Sequence, residues 1–440
     1  MRKEELIRTV FDAGIVGAGG AGFPTHRKFT AEGIDTYLIN GIECEPLLEG
    51  DCYMMAHKAD SLVRAARAVE EALGAKTVFC LKAKHDEAVQ ALRSAGAEVI
   101  ACKDYYPLGD EVIMIYEALG RIVPEGGLPL DVGVVVNNVE TLYNIDEALQ
   151  GRPVMHSFVS TGGAVARKGL FRVPLGTSVR TLLEAAGGVT IDNAVYVDGG
   201  PMMGVYHDTP DFSVTKTMKA ILALPGDSLL ARMERMPVET MLKQARVCCC
   251  QCNQCTLVCS RDLVGFHLEP HQIMRAMAFQ GVRNESVMKM AMLCSECNLC
   301  SALHACPMGL SPRRVNMQIK KAFREQGITP RFERREMQAH PLRDYRLVPS
   351  ERLKERLGLI QYEAEPYEYY GDLEVDRVAI PLKQHAGPPA SPIVVAGDAV
   401  ELGQCIATPL EGALGARIHA SIGGVVDAVT PEQIVLSRQR

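Results

Sequence analysis

Several features are missing from this sequence of 440 residues, and each absence excludes a class of function. No window of about 18 residues is apolar and free of charge, so we expect no membrane-spanning helix. The formal net charge is -6 and no long run of basic residues occurs, which argues against a general nucleic-acid-binding protein. The first residues lack the apolar core and small-residue cleavage site of a secretory signal, so we expect a cytoplasmic protein.

Cysteine, by contrast, is concentrated in one region. The chain has 15 cysteines, and ten of them lie between Cys248 and Cys306. Such clustering indicates metal binding in a reducing compartment rather than disulfide bonds. Most of the five isolated cysteines are interpreted as small buried residues; the five are Cys44, Cys52, Cys80, Cys102 and Cys405.

Two cysteine triplets have the spacing of 4Fe–4S ligands. The first run is C-x2-C-x2-C-x3-C, and a second C-x2-C-x2-C triplet precedes a Cys-Pro pair; the cysteines are Cys249, Cys252, Cys255, Cys259, Cys294, Cys297, Cys300 and Cys306. In two-cluster ferredoxins the fourth cysteine of each run serves the other cluster. By that rule the first triplet pairs with Cys306 and the second with Cys259.

Two points about these cysteines stay open. A pair of zinc knuckles is the alternative interpretation, although doubled triplets with a trailing Cys-Pro are not a zinc spacing. The consecutive Cys248, Cys249 and Cys250 leave the ligand register open by one position, and the spacing favours Cys249. The last gap of the second run is five residues long, SALHA, where three are usual.

The patterning divides the chain into five parts. Residues 1–150 alternate helical and strand-like patterns, which predicts an α/β domain with a parallel sheet. Residues 151–230 have short strands between glycines around one helix, as in a β-grasp module. Residues 235–330 are helical and carry the cysteines, 331–383 has little periodicity and is predicted as a linker, and 384–440 has the pattern of a compact β-sandwich. The fold class is therefore multidomain α/β.

The stretch GAGGAGFPTH, residues 17–26, matches the G-x-G-x-x-G dinucleotide fingerprint. A Rossmann loop requires a strand before the first glycine and a helix that begins at the third. Here the preceding residues have a helical pattern, and Pro24 obstructs a helix at that point. We therefore interpret the fingerprint as a false match, although such a loop can still bring N–H groups close to a phosphate or a flat ring.

Three segments resemble the flavin site of the FMN- and NADH-binding subunit of respiratory complex I and of the RnfC protein of the Rnf electron-transfer complex. They are GAGGAGFPTHRK, YLINGIECEP and VVVNNVETL. The domain order, with an SLBB-like β-grasp module, a two-cluster ferredoxin-like domain and a C-terminal lipoyl-like barrel-sandwich, most resembles the cobalamin reductases of propanediol-utilising microcompartments. The resemblance covers nearly the whole chain, whereas in the RnfC protein the sandwich lies at the N-terminus.

This resemblance implies FMN, two 4Fe–4S clusters and NADH as the electron donor. It places FMN contacts at Gly17, Gly19, Gly20, Gly22, Lys28, Asn40, Glu43, Asn137, Asn138 and Thr141, with Lys28 near the phosphate. From the segment YPLGDE it adds Asp110 and Glu111, and it makes Glu45 a residue that orients NADH. For each carboxylate, a solvated surface group is the alternative interpretation. Ala18 and Ile42 depart from the complex I pattern, which has Arg and an acid there.

By the same resemblance the electron acceptor is a corrinoid, with a corrinoid adenosyltransferase, a microcompartment shell or enzymes as partners and a place in or on that compartment. No D-x-H-x-x-G corrinoid motif occurs, so contact with a corrinoid is expected to be transient or supplied by a partner. Two alternatives remain: another acceptor, such as a radical-enzyme system or an Rnf-type complex, and a non-enzymatic electron-relay scaffold. No lysine follows Lys383, which excludes lipoylation or biotinylation of the sandwich.

Overall fold

The computed structural model describes residues 1–279, 284–333, 336–364 and 367–439. Its first domain is built on four parallel strands in the order β3-β2-β1-β5, with helices on both faces. Its elements are α1 Lys3–Asp12, α2 Thr25–Lys28, β1 Thr36–Gly41, α3 Gly50–His57, α4 Ala59–Leu73, β2 Lys76–Lys82, α5 Asp86–Ser94, β3 Val99–Cys102, β4 Tyr105–Tyr106, α6 Glu111–Leu119, a 3₁₀ turn Pro129–Val132, β5 Val134–Asn138 and α7 Val139–Leu149.

The predicted parallel sheet is confirmed, and its burial explains the sequence pattern. Strand β5 begins with three consecutive valines that are all buried, because helices cover both faces of a parallel sheet. The carboxyl ends of parallel strands lie at one edge of the sheet, so Asn40 at the end of β1 pairs in register with Asn138 at the end of β5. That edge collects the flavin-like segments.

The second domain is a six-stranded sheet in the order β12-β7-β6-β10-β8-β9. Its elements are β6 His156–Gly163, β7 Gly169–Pro174, α8 Val179–Ala185, β8 Ala194–Asp198, β9 Val205–His207 and β10 Ala220–Pro225. Helix α8 packs its Leu182 and Leu183 into the core of this domain. Strand β12, Glu368–Asp372, comes from far along the chain and lies parallel to β7 at the sheet edge.

The third domain is helical and holds the clustered cysteines. Its elements are α9 Leu229–Arg235, α10 Val238–Cys248, α11 Gln254–Leu257, α12 Ser260–Leu263, α13 Pro270–Ala278, α14 Glu285–Lys289, a 3₁₀ turn Met290–Leu293 and α15 Pro312–Glu325. Both cysteine triplets lie largely in irregular chain between these helices. A single apolar core joins this domain to the first two, because Val112, Val197 and Ile273 belong to one buried cluster.

The stretch predicted as a linker carries regular structure that packs on the other domains. It contains a 3₁₀ turn Arg343–Tyr345, β11 Val348–Pro349, α16 Ser350–Leu357, a 3₁₀ turn Ile360–Tyr362, β12 and β13 Arg377–Pro381. Strand β11 pairs with β4 of the first domain, and the Tyr370 ring stacks on Phe171 of the second at 4.9 Å. The short pieces pack on the first domain, on the second domain and into the C-terminal sandwich, which is why the stretch shows no single period.

The C-terminal domain is a sandwich of two small sheets, β13-β19-β18-β15 and β14-β16-β17. Its remaining strands are β14 Ser391–Pro392, β15 Ala399–Val400, β16 Cys405–Thr408, β17 Ile418–His419, β18 Gly424–Val429 and β19 Gln433–Ser437. It begins at β13, before the expected boundary at residue 384, because Val378 and Ile380 of β13 belong to its core.

Two further observations concern the whole chain. None of the helices in the described residues is long and apolar enough to span a membrane. Among the isolated cysteines, Cys80 and Cys102 are buried, with their sulfur atoms 3.2 Å apart between β2 and β3. The other three, Cys44, Cys52 and Cys405, are half-buried.

Candidate flavin and iron–sulfur sites

The glycine loop connects two helices, α1 and α2, so the strand that a Rossmann loop requires is absent before it. The loop is closed by hydrogen bonds from the Gly17 amide to the Phe23 carbonyl at 2.9 Å and from the Gly22 amide to the Gly17 carbonyl at 3.2 Å. Gly20 has a φ of +104°, and no atom lies within 4 Å of the point where its Cβ would stand. The loop therefore presents exposed backbone in a conformation that favours glycine.

The third flavin-like segment lies directly against this loop. The Ala18 amide donates to Thr141 Oγ1 at 2.9 Å, and a Cβ on Gly19 would stand 3.5 Å from the Cβ of Asn138. Asn138 also caps helix α7, since its side chain accepts a hydrogen bond from the Glu140 amide at 2.9 Å. Loop, strand end and helix start thus meet at one place, which suits an anionic or planar ligand.

Three more of the predicted residues line the same edge of the sheet. The Lys28 amine donates to the Val136 carbonyl at 2.7 Å and lies 3.5 Å from Glu111 Oε1. Asn40 donates to the Gly109 carbonyl at 2.9 Å. Lys28, Glu111 and Asn40 are therefore gathered around the ends of β1 and β5. Asn137 instead points into the core, where its amide donates to the Tyr37 hydroxyl at 2.9 Å.

Glu43 reaches a buried group of charges below the second segment. Its Oε2 accepts hydrogen bonds from the amides of Asp51 at 2.9 Å and Cys52 at 3.2 Å. Burial and the neighbouring Asp51 carboxylate raise the pKa of Glu43 to about 8. Lys219 of the second domain lies 2.6 Å from Asp51 and 2.8 Å from Glu140, so these two carboxylates share its single positive charge.

Two predicted carboxylates face the other domains rather than the open side of the glycine loop. Glu45 Oε2 accepts a hydrogen bond from the Met202 amide at 2.9 Å, and burial raises the pKa of Glu45 to about 7. Asp110 caps helix α6 through Oδ1 and forms an ion pair with Arg261 Nε through Oδ2 at 2.9 Å. Arg261 follows closely after Cys259, so Asp110 joins the first domain to the cysteine region.

Tyr106 makes a second connection to the cysteine region. Its hydroxyl lies 2.8 Å from the Cys297 carbonyl oxygen and 3.1 Å from Glu45 Oε1. Asn298 follows Cys297 in the sequence, and its side-chain amide donates to the Met202 carbonyl at 3.1 Å. The second cysteine triplet is therefore held against the second flavin-like segment.

The two cysteine triplets wind in the same way. Positive φ angles occur at equivalent positions, 55° and 62° at Gln251 and Asn253, and 64° and 70° at Glu296 and Asn298. In each triplet an N–H group donates a hydrogen bond to the sulfur of the first cysteine. The Gln251 side-chain amide lies 3.2 Å from Cys249 Sγ, and the Glu296 backbone amide lies 3.3 Å from Cys294 Sγ. Such loops, turning around a space with N–H groups aimed at sulfur, fit a cluster held by thiolates.

The first triplet and Cys306 line one pocket, with an empty volume of about 390 Å³ that is partly open to solvent. His271 and Met274 complete its wall. Cys252 is exposed at the rim, as is its neighbour Cys250. The structure thus brings together the set that the crossed pairing rule predicts.

The second triplet lies deeper. Burial holds the pKa of Cys300 well above its usual range, and the nearby Cys294, Cys297 and Cys259 raise it further. Cys300 is buried, in contrast to the exposed Cys252. Across the described residues, no three His, Cys, Asp or Glu side chains converge on a position for one metal ion.

A pocket with an empty volume of about 600 Å³ lies where the first two domains meet α16. Glu43 and Glu45 line one side of it and several lysines the other. Lys82 and Lys84 both pair with Asp104, at 2.9 and 2.8 Å, so much of this positive charge is balanced. Sequence reasoning missed three residues that no motif marks, Lys82, Lys219 and Arg261. It also gave no role to Tyr106, although that residue begins the segment YPLGDE.

The residues present fit both kinds of group. Glu43 Oε1 and Asn137 Oδ1 are buried without a hydrogen-bond partner among the described residues. The exposed backbone of the glycine loop lies against Asn138, the neighbour of Asn137. Amides, a lysine amine and backbone N–H groups are donors suited to a flavin phosphate and ring. Together with two thiol sets, this arrangement defines a flavin- and iron–sulfur-containing electron-transfer protein.

Comparison with known proteins agrees with that class. Family models match the Nuo51 FMN-binding domain over residues 10–147, the SLBB domain over 159–206, the 4Fe-4S dicluster domain over 248–311 and the RnfC barrel sandwich hybrid domain over 373–439. The four predicted domain types and the FMN and 4Fe–4S cofactors are thereby confirmed, and the zinc alternative is set aside.

Relatives over the full length define the family. Cobalamin reductase PduS of Citrobacter freundii is 40% identical over 431 residues, which is 97% of this chain and 95% of that protein. Cobalamin reductase PduS of Salmonella typhimurium is 41% identical over 440 residues, covering 99% and 97%. One component of the proton-translocating ferredoxin:NAD(+) oxidoreductase complex of Clostridium ljungdahlii is 30% identical over 280 residues, covering 61% and 58%. The chain belongs to the PduS cobalamin reductase family.

Proposed function

We propose that this chain takes electrons from NADH and passes them, through FMN and two 4Fe–4S clusters, to a corrinoid. The observation that carries the proposal is the double connection between the flavin-like segments and the cysteine region, through Tyr106 to Cys297 and through Asp110 to Arg261. The names of the full-length relatives supply the acceptor class, and the ferredoxin:NAD(+) oxidoreductase relative supports NADH as donor.

For FMN, we assign the open face of the glycine loop with Asn40, Asn138 and Lys28. The support is geometric, since loop, strand ends and the Lys28 amine converge there. Gly17, Gly19, Gly20 and Gly22 shape the loop, Thr141 accepts a hydrogen bond from its Ala18 amide, and Asn137 lies in the core below the end of β5. Bound FMN supplies the exchange between two-electron and one-electron chemistry. Glu111 flanks this face beside Lys28, and Glu43 connects to it through Asp51, which accepts a hydrogen bond from Asn138. Glu45 and Asp110 serve the contact with the cysteine region.

For the clusters, we assign two ligand sets that cross between the triplets. One set is Cys249, Cys252, Cys255 and Cys306; the other is Cys259, Cys294, Cys297 and Cys300. Two observations support this division. The first set lines one pocket, and in the second set the thiols lie close enough to raise one another's pKa. The second set lies deeper and is tied to the flavin segments, and the first reaches the surface at Cys252. We therefore place the first set on the side that meets the electron acceptor.

The partners follow from the acceptor. A corrinoid brought by an adenosyltransferase, or held by an enzyme, fits a chain without its own corrinoid motif. Attachment to a microcompartment shell or enclosure within it belongs to the same proposal. The exposed position of Cys252 supports contact with a partner that presents the corrinoid there.

NADH-driven reduction of cob(III)alamin by anaerobically purified protein, with FMN and both clusters loaded, tests the proposal. We expect reduction by the wild type, and its loss in Cys252→Ser while NADH still bleaches the flavin. Cys250→Ser is the matched control, because Cys250 is an exposed neighbour outside either set. A loaded protein that does not reduce cob(III)alamin refutes the corrinoid acceptor and leaves the radical-enzyme or Rnf-type alternatives. Purified protein that never binds FMN supports the relay scaffold instead.

A further inference from the structure

The C-terminal sandwich has no carrier lysine, and its hairpin tip is not available for one. In a carrier domain the modified residue stands at an exposed hairpin tip. Here Ile418, Ala420 and Ile422 are all at most 2% exposed, and His419 is 4% exposed. Ser421 donates to the Leu175 carbonyl of the second domain. The tip is therefore packed against the rest of the protein, and the domain requires another role.

This buried tip lies behind the glycine loop of the first domain. The Ala386 amide of the sandwich donates to the Gly22 carbonyl at 2.9 Å, which holds the end of the loop. Before the loop, the Arg417 guanidinium lies 3.1 Å from Asp12 Oδ1 and 5.1 Å from the centre of the Phe11 ring. The sandwich thus contacts the chain on both sides of the exposed glycines.

Lys216 of the second domain joins these contacts at their centre. It is 3% exposed, and its amine donates to the Gly14 carbonyl at 2.7 Å and to the Arg417 carbonyl at 2.6 Å. Its own amide donates to Gln384 Oε1 of the sandwich at 3.0 Å. Lys216 forms no ion pair within the described ranges, and burial lowers its pKa to about 7. One buried side chain therefore ties together three domains.

The close fit at Gly14 shows how little room this junction has. Gly14 has a φ of +69°, and a side chain there would overlap the Arg417 carbonyl and stand 2.9 Å from the Lys216 amine. Loops rich in glycine lose much conformational entropy when they become ordered. A loop that is already held in place binds its ligand without that cost.

We infer that the C-terminal sandwich is a clamp that holds the glycine loop in its flavin-binding shape, with Lys216 as the positioning residue. The inference rests on the proposed FMN site, and it assigns to this domain a role in cofactor retention rather than cofactor carriage. Lys216 contacts the backbone on the far side of the loop, so it acts through loop geometry and not through contact with the flavin.

The test compares FMN affinity in Lys216→Met, Arg417→Gln and a matched control, Arg377→Gln. Arg377 belongs to the same sandwich, is 71% exposed and pairs only loosely with Asp427 at 3.6 Å. Protein from which FMN has been removed, with its clusters retained, is titrated with FMN, and the quenching of flavin fluorescence gives the Kd. Hydrogen exchange measures how well the amides of residues 14–24 are protected. We expect at least a roughly tenfold higher Kd for Lys216→Met, the size of one charge-assisted hydrogen bond, and faster exchange in the loop.

If Lys216→Met does not fold, Arg417→Gln still tests the clamp proposal. Its side chain is 35% exposed, so the substitution is tolerated, and a smaller rise in Kd with faster loop exchange is expected. Unchanged Kd and unchanged exchange in the folded variants, with normal FMN binding by the wild type, overturn the clamp. A wild type that does not bind FMN overturns the proposed function itself, so the two failures are distinguishable.

Discussion

Replacing Lys219 by methionine is the perturbation whose size follows most directly from the structure. The Lys219 amine lies 2.6 Å from Asp51 Oδ1 and 2.8 Å from Glu140 Oε2, and these carboxylates are 4% and 1% exposed. Burial alone would lower the pKa of Lys219, but the surrounding carboxylates raise it above its ordinary value. The substitution leaves two buried carboxylates without their cation.

The magnitude follows from these contacts. At an effective dielectric constant of about 20, each charge pair at this distance is worth roughly 6 kcal/mol before desolvation is subtracted. Removing one partner of a buried pair costs about 3–5 kcal/mol in practice. Glu140 keeps hydrogen bonds from Ser157 and from the Phe158 amide, so part of its stabilisation survives. We expect a loss of about 4 kcal/mol in the free energy of unfolding.

Native-state hydrogen exchange measures this loss locally, at amides of β5 and β6, without requiring the whole chain to unfold in one step. Lys219→Met, Asp51→Asn and the double variant form a mutant cycle, in which the double variant should recover part of the loss. Lys76→Met is the control, because Lys76 pairs with Glu98 at the same 2.6 Å on the surface and is worth less than about 1 kcal/mol. If Lys219→Met lowers the free energy of unfolding no more than Lys76→Met does, Lys219 does not stabilise the buried carboxylates as the structure indicates.

Three other predictions concern separate sites. Glu43→Gln should flatten the pH dependence of the melting temperature. The pKa of Glu43 is raised to about 8 in the folded protein. Its contribution to stability is therefore fully present below the ordinary pKa of a glutamate and falls as pH rises towards 8. An unchanged profile would contradict this. Cys300→Ser and Cys249→Ser should each remove about half of the iron, measured by iron analysis and EPR, whereas loss of all or none from either would contradict two separate ligand sets. Gly20→Val should weaken FMN binding, because a φ of +104° disfavours any side chain and the valine would stand on the open face assigned to FMN; an unchanged Kd would remove the loop from the site.

Local patterns in the sequence were sufficient for the parts of the fold that depend on local chemistry. Cysteine spacing predicts the two triplets because ligands of one cluster must lie a few residues apart. The valines of β5 predict a buried parallel strand. The glycine fingerprint was a false Rossmann match, as the helix α1 before it and Pro24 after its last glycine indicated.

Contacts between distant segments could not be predicted from the sequence. Lys219 and Lys216 lie in the second domain without any motif, and only the tertiary structure brings them to the first. Asp110 and Glu45 were predicted from the family resemblance, but their partners Arg261 and Met202 come from other domains. The predicted linker lacks periodicity because its short pieces pack on different surfaces. A prediction from periodicity therefore finds no regular structure there.

The proposed function requires that electrons from NADH reach both cysteine sets through the flavin site. Anaerobic titration of the purified protein with NADH, followed by absorbance for the flavin and by EPR for the clusters, measures this directly. We predict that NADH bleaches the flavin and that signals of two reduced 4Fe–4S clusters then appear. Bound flavin that NADH reduces while both clusters stay oxidised, although dithionite reduces them, would contradict the proposed function.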